Sequence, residues 1–383
     1  MSRIVISILA LSLSLGTHAT NGLFPAGNGM IAHGMGGAGL ANGAEAMSMV
    51  DNPGLIHRTG NMANFSAHFY YPQLSANVAG TYVKSDIEQT ITPQAAITQT
   101  INEQLAWGIA LTLLGGAGSD YPATLVGEQA GVVAGGIILS PSLAYKINGQ
   151  SAIGVSLQLA YEEIETDGFA TGFGDNKGDT TGFGFKLGYI YDLSENTSLA
   201  ATYQSKTDVD EIDVHCSGDG VYTLYKLSGG DCSLDLPQII SVGIKHQLNS
   251  DIKLLSDIQH INWEGVDVIK DVFGWEDRWV YKLGGQYLFS PKLTLRAGYN
   301  YSKAPIAKNR VADNIFLGGV IEHHYTLGMS YDYDKQYLFS AYYSHGVENT
   351  LSQTGAVSAP GLSPISKIKM SEQVIGLGVD FKF

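Results

Sequence analysis

From about Asn61 to its last residue, this chain is a succession of segments with an apolar side chain at every second position, joined by connectors that alternate between short and long. A period of two puts those side chains on one face of an extended strand. A sheet in water can use a few such strands. A long series with alternating connector lengths describes a closed membrane barrel, apolar outside and polar inside. The last segment shows the pattern, with Ile375, Leu377, Val379, Phe381 and Phe383 on one side and Gly376, Gly378, Asp380 and Lys382 on the other.

The segments fall at residues 61–71, 94–101, 105–115, 132–147, 152–166, 181–193, 197–207, 236–248, 252–266, 278–289, 293–302, 319–333, 337–347 and 368–383. That is an even set of about fourteen, as bacterial single-chain barrels use. Every second connector is a turn of about three or four residues, such as Asn148-Gly149-Gln150, where Asn-Gly is a strong hairpin signal. Short turns belong at the periplasm and long loops outside. Within 293–301, alternation sends the odd-numbered residues to lipid and Thr294, Arg296, Gly298 and Asn300 to the lumen. An arginine facing mid-membrane lipid costs roughly 2 to 4 kcal/mol, so the register is well determined wherever a charge sits inside a strand.

The composition fits this class and excludes others. There are 21 Tyr, 13 Phe and 47 Gly, and 15% of residues are charged. Mean hydropathy is +0.03, the average of an oily exterior and a wet interior. Net charge is −14, which disfavours nucleic acid and other partners bound through phosphates. Residues 1–19 read as a secretory signal peptide: Arg3, then an apolar run from Ile4 to Leu15, then small residues around Ala19. The apolar run is shorter than the roughly 20 residues of a spanning helix. Cys216 and Cys232 are close in sequence, which in an exported chain suggests one disulfide, with two free thiols as the alternative. No metal or cofactor site is expected. The acidic runs at 162–167 and 208–213 lack the ligand spacing of a calcium loop and read as a solvated rim, and the adjacent His323 and His324 point to opposite faces. Trp263, Trp275 and Trp279 fall where an aromatic girdle is expected.

Residues 20–60 do not alternate. They are rich in Gly and Ala, too apolar for a linker, and suited to a compact plug inside the lumen, where glycine allows close approach to the wall. Gly34-Met35-Gly36-Gly37-Ala38-Gly39 matches a dinucleotide fingerprint only formally, since no strand precedes it and no βαβ unit surrounds it. Together with Phe24-Pro25-Ala26-Gly27 and Asp51-Asn52-Pro53-Gly54-Leu55, that run resembles the N-terminal hatch of the long-chain fatty-acid and aromatic-hydrocarbon transporter family of outer-membrane proteins. Leu236-Pro237-Gln238 and the stretch from Trp279 to Pro305 are similar to the family as well. The family usually has alanine after its Asn-Pro, where this chain has Gly54.

The resemblance implies an all-β, 14-stranded antiparallel transmembrane barrel over 61–383, a hatch over 20–60, and passive, non-enzymatic entry of hydrophobic compounds across the outer membrane. Implied partners are fatty acids or hydrocarbons, outer-membrane lipid and lipopolysaccharide, and the barrel assembly machinery, whose C-terminal signal the closing strand resembles. It also implies a wall gap at a kink in the third strand. Gly115 and Gly116 are the candidate residues, and glycines there suit either a kink or a strand end entering its loop. A fatty acid would need a cation. Candidates are Arg296, Lys282, Lys186 and Lys245 in the lumen and Lys303, Lys308 and Arg310 in the loops, most of them expected to pair with interior acids such as Asp257 and Glu162. An aromatic hydrocarbon would need none. The rival readings are a general porin for hydrophilic solutes, which needs no plug, and an outer-membrane lipid hydrolase, for which no nucleophile motif stands out.

Overall fold

A computed structural model describes residues 21–78, 80–168, 176–211, 233–357 and 363–383. Fourteen strands cross in sequence: β1 (Met62–Asn77), β2 (Thr90–Thr100), β3 (Leu105–Tyr121), β4 (Ala130–Lys146), β5 (Ser151–Asp167), β6 (Asn176–Ser194), β7 (Thr197–Gln204), β8 (Gln238–Gln247), β9 (Ile252–Asn262), β10 (Arg278–Ser290), β11 (Leu293–Ser302), β12 (His323–Asp332), β13 (Tyr337–Ser352) and β14 (Lys367–Lys382). Two short pieces, Tyr82–Lys84 and Asp208–Val209, pair at the outer ends of β1 and β6. Each strand is antiparallel to its sequence neighbour, and β14 pairs with β1 from Met62 opposite Lys382 to Asn77 opposite Lys367, which closes the barrel. Closure leaves no free first or last strand, so the ladder groups at the β1–β14 seam are satisfied in a medium that offers no water.

The faces follow the alternation. On β5, Ile153, Val155, Leu157 and Leu159 are exposed to the membrane side while Gly154, Ser156, Gln158 and Ala160 are buried. On β11, Arg296 and Asn300 face inward. At the periplasmic end four of the turns share one device. The side-chain oxygens of Asn102, Asn148, Asn249 and Asp334 each accept from the backbone amides two and three residues later. A short acceptor side chain thus stands in for backbone in the turn.

Three expectations change. The third strand runs to Tyr121 rather than 115, so Gly115 and Gly116 lie inside it. Several other strands are longer at their outer ends, since pairing continues above the membrane where alternation no longer signals it. Trp279 stands outside at 54% exposure, but Trp263 and Trp275 are buried at 1% each. They sit in an apolar cluster where the β9–β10 and β11–β12 loops fold over the outer mouth, together with Phe273, Ile315 and Phe316. Trp275 donates to the Asn314 side chain at 2.6 Å, which gives its buried indole N–H a partner. Cys216 and Cys232 lie outside the described residues, as do residues 1–20.

Candidate functional site

Residues 21–60 occupy the lumen as short helices joined by tight turns: α1 (Gly29–His33), α2 (Ser48–Asp51), a 3-10 turn at Pro53–Leu55, and α3 (Ile56–Thr59). Their glycines and wall glycines meet. An ideal Cβ on Gly298 would lie 2.0 Å from the Met35 carbonyl carbon and 2.1 Å from the Gly36 nitrogen, and one on Gly328 2.8 Å from the Gly34 Cα. Gly284, opposite Gly298 on β10, closes the same seat around Met35. A second seat holds Asn52-Pro53-Gly54. It is made by Gly154 and Gly188, directly opposite each other on β5 and β6, where ideal Cβ atoms would come within 2.3 Å of Pro53 and 2.1 Å of Asn52. A Cβ at Gly54 would meet three oxygens at 3.1 to 3.3 Å, so alanine fits only with a small shift of its neighbours.

Polar groups lock these seats. Asn52 donates to Leu40 O and to Tyr189 O of β6, while its Oδ1 accepts from Gly54 N. Asp257 of β9 takes the amides of Gly39 and Leu40 at 2.7 and 3.0 Å. Gly36 donates to Thr326 Oγ1 and accepts from Asn300. Within the segment, Glu45 accepts the first amides of α1, those of Met30, Ile31 and Ala32. Burial, and next the Asp380 carboxylate, raise the Glu45 carboxyl to about 8, while these amides draw it down.

Between the segment and the wall lies a cavity. Phe24, Leu40 and Val50 line it from inside, and Thr112, Leu113, Leu114, Gln158, Asp257 and Lys282 are among its wall residues. Four ionisable groups reach it, Asp51, Lys186, Asp257 and Lys282. Lys186 donates to Val50 O at 2.6 Å. Lys282, only 8% exposed, has no hydrogen bond or ion pair among the described residues. Asp51 Oδ2 and Asp257 Oδ1 are likewise buried and unpartnered. Burial pushes the Asp51 carboxyl up, and the neighbouring Lys282 ammonium draws it back.

The cation candidates therefore divide differently from expectation. Arg296 bonds Gln286 and Ser330 rather than an acid, because its fork reaches across to neutral side chains on β10 and β12. Arg310 pairs with Asp313 at 2.5 Å and bonds the carbonyls of Asp271 and Val272, pinning one outer loop to another. Lys303 and Lys308 are exposed in that loop, and Lys245 is half-buried on β8. Neither Asp257 nor Glu162 forms an ion pair with these cations among the described residues. Asp257 is taken by backbone amides, and Glu162 Oε1 has no partner.

The wall itself is interrupted beside the cavity. β2 pairs with β3 only from Ala95 opposite Leu111 to Thr100 opposite Ala106. Above that, Thr90 to Gln94 pair with β1 alone and the upper half of β3 with β4 alone. At the outer end β3 is held instead by the connector between β1 and β2, where Asp86 N donates to Asp120 O and Asp120 N to Ser85 Oγ. Gly115 and Gly116 stand at a register shift of β3 against β4, two residues where β4 has one, between Leu114 opposite Gly136 and Ala117 opposite Ala134. Such a bulge bends a strand and reverses its alternation. Thr112 and Leu114 are buried below it, Ser119 and Tyr121 above it. The bent end leans inward, with Ser119 Oγ donating to Phe316 O and Tyr121 OH to Ile315 O. Thr112, Leu113 and Leu114 all line the cavity, at the level where β2 and β3 cease to pair.

The profile of the family described as outer membrane protein transport protein (OMPP1/FadL/TodX) matches residues 25–383. The long-chain fatty acid transport protein of Escherichia coli strain K12 is 23% identical over 347 residues, 72% of this chain and 78% of that protein. Among solved structures, the Pseudomonas putida toluene transporter TodX superimposes with a TM-score of 0.74 at 18% identity, over 94% of this chain and 99% of its own. A Pseudomonas aeruginosa FadL homologue gives 0.71 at 16% identity, over 95% and 100%.

Proposed function

From its membership in the OMPP1/FadL/TodX family of outer-membrane transport proteins, to which this chain belongs, we propose a specific route for the hydrophobic compounds that such proteins carry: into the cavity beside the hatch, then sideways through the interruption between β2 and β3 into the membrane. The chain divides into a signal peptide at 1–19, a hatch at 20–60 and a barrel at 61–383. The observation that carries the route is the cavity's contact with β3 at Thr112 to Leu114, where its pairing with β2 has stopped.

The physical case rests on what an apolar molecule avoids. A straight aqueous pore is a poor path for it, and residues 21–60 fill the lumen. Entry is from the apolar cluster at the outer mouth. Phe24 packs against that cluster, stacks on Trp263 at 5.4 Å, and also lines the cavity, so the two compartments share a residue. Exit through a wall gap delivers the molecule to a solvent it prefers and needs no passage past the tight seats of Pro53 and Gly36. The cargo is a fatty acid or a hydrocarbon of related character. No chemical step is required, so the protein acts as a channel rather than an enzyme. Lipopolysaccharide surrounds the outer rim, and the assembly machinery would read the closing strand.

Proteoliposomes test the class of solute. Wild-type protein is expected to speed transfer of an apolar probe into the bilayer and to leave the liposomes osmotically tight to small sugars. Rapid swelling in sugars with no gain for the apolar probe would establish the porin reading instead.

A further inference from the structure

Lys282, Asp51 and Asp257 line the cavity together, and each carries a polar atom without a partner among the described residues: the Lys282 ammonium, Asp51 Oδ2 and Asp257 Oδ1. Two of these side chains stand on the wall, at β9 and β10, and are 2% and 8% exposed, and the third comes from α2 of the hatch. Their remaining atoms are committed, Asp51 Oδ1 to Asn28 and Asp257 Oδ2 to the amides of Gly39 and Leu40. Buried polar atoms are nearly always paired, and an unpaired set on the residues that line one cavity calls for a ligand that supplies what is missing. Here that is an acceptor for lysine and a donor for a carboxylate.

We propose that Lys282, Asp51 and Asp257 form the polar end of the cargo site and take the hydroxyl of an otherwise apolar molecule, of the class of phenols and fatty alcohols. A hydroxyl oxygen accepts from the ammonium while its proton goes to a carboxylate oxygen, so one group satisfies both demands. A free carboxylate does not fit. The cavity already holds two cations and two acids, and an added anion would accept from Lys282 but face the bare oxygens of Asp51 and Asp257. A plain hydrocarbon fits less well, because it covers all three polar atoms and pairs none. Phe24, Leu113 and Leu114 offer the apolar wall for the body of the molecule. Because Asp51 belongs to the hatch, an occupied site also ties hatch to wall. This inference rests on the reading of the cavity as a cargo site.

Calorimetric titration of the purified full-length barrel in detergent, with two matched series, tests it: 4-propylphenol, propylbenzene and 4-propylbenzoate, and 1-octanol, octane and octanoate. The hydroxylated member of at least one series is expected to bind about tenfold tighter than its hydrocarbon and its carboxylate, the worth of one good hydrogen bond. Which series shows it tells an aromatic body from an aliphatic one. Lys282→Met should bring the hydroxyl compound down to the affinity of the hydrocarbon, and Asp51→Asn should raise the affinity of the carboxylate. Tightest binding by a carboxylate overturns the proposal in favour of a cationic anchor, and equal binding by hydrocarbon and alcohol overturns it in favour of polar atoms that only hold water. Binding of no member overturns the cargo-site reading itself. If a variant does not fold, the ranking on the wild type alone decides.

Discussion

Valine at position 298 is expected to drive the hatch from the wall and leave the barrel standing. The Cβ that any side chain adds there would lie 2.0 Å from Met35 carbon and 2.1 Å from Gly36 nitrogen. Both are backbone atoms, so no rotamer relieves the clash. The neighbouring seat residue Gly284 is also tight against Met35, with an ideal Cβ 2.5 Å from it, which leaves no room to slide toward β10. Relief requires residues 34–37 to lift, and the bonds from Gly36 to Thr326 and Asn300 and from Gly39 and Leu40 to Asp257 lengthen with them. Overpacking costs typically 1 to 3 kcal/mol, and each lost buried bond about 1 kcal/mol, so docking weakens by roughly 5 kcal/mol. The ladder from β10 through β12 is unaffected, because the change is on the lumen face. In planar bilayers Gly298→Val should conduct ions as an open pore, as should a chain lacking residues 20–54, while wild type remains nearly closed. Heat-modifiable migration on a gel checks that the barrel has formed. A folded Gly298→Val barrel that conducts no more than wild type would show that docking of this segment does not close the pore.

Deleting Gly116 is expected to abolish uptake of apolar cargo. The bulge places two residues of β3 against one of β4, and removal of one restores a continuous register from Leu114 to Ala117. Ser119 and Tyr121 keep their inward orientation, since the deletion reverses the parity that the bulge had reversed. A straight β3 then lies along Thr90 to Gln94 and can complete the ladder that now stops at Ala95 opposite Leu111. About five further pairs add stability, so the deletion variant should melt no lower than wild type. Transfer of an apolar probe into liposomes should fall at least tenfold, toward the protein-free rate. Unchanged transfer in a folded deletion variant would place the exit elsewhere.

These two sites differ in how far the chain itself announces them. The barrel was legible because lipid imposes a strong and regular demand: one face of each strand must be apolar, and Arg296 or Asp380 on the wrong face would be costly. The count and the closure of β14 on β1 followed. The glycine seats were only half visible. Residues 34–39 declared close approach to something, but Gly154, Gly188, Gly284 and Gly298 become receivers only once register sets Gly154 beside Gly188 and Gly284 beside Gly298. A signal existed, glycine at lumen positions where alternation calls for a polar side chain, yet it names no partner. The cations were harder still. Alternation placed Lys282 and Arg296 inside, but whether each meets an acid, an amide oxygen or nothing depends on contacts between segments far apart in sequence. Trp263 and Trp275 misled for a related reason: outer loops fold back over the mouth, and no periodicity records where a loop returns.

The route for cargo can be tested where it matters, at the interruption between β2 and β3. A photoreactive apolar probe, irradiated with wild-type protein in liposomes and mapped by mass spectrometry, is expected to label lumen-facing Leu114 and Ile138 together with Leu113 on the opposite face of β3, and to lose the Leu113 and Leu114 adducts when Gly116 is deleted. Labelling confined to membrane-facing residues such as Leu377, with none at Leu114 or Ile138, would contradict a path from the lumen through the wall.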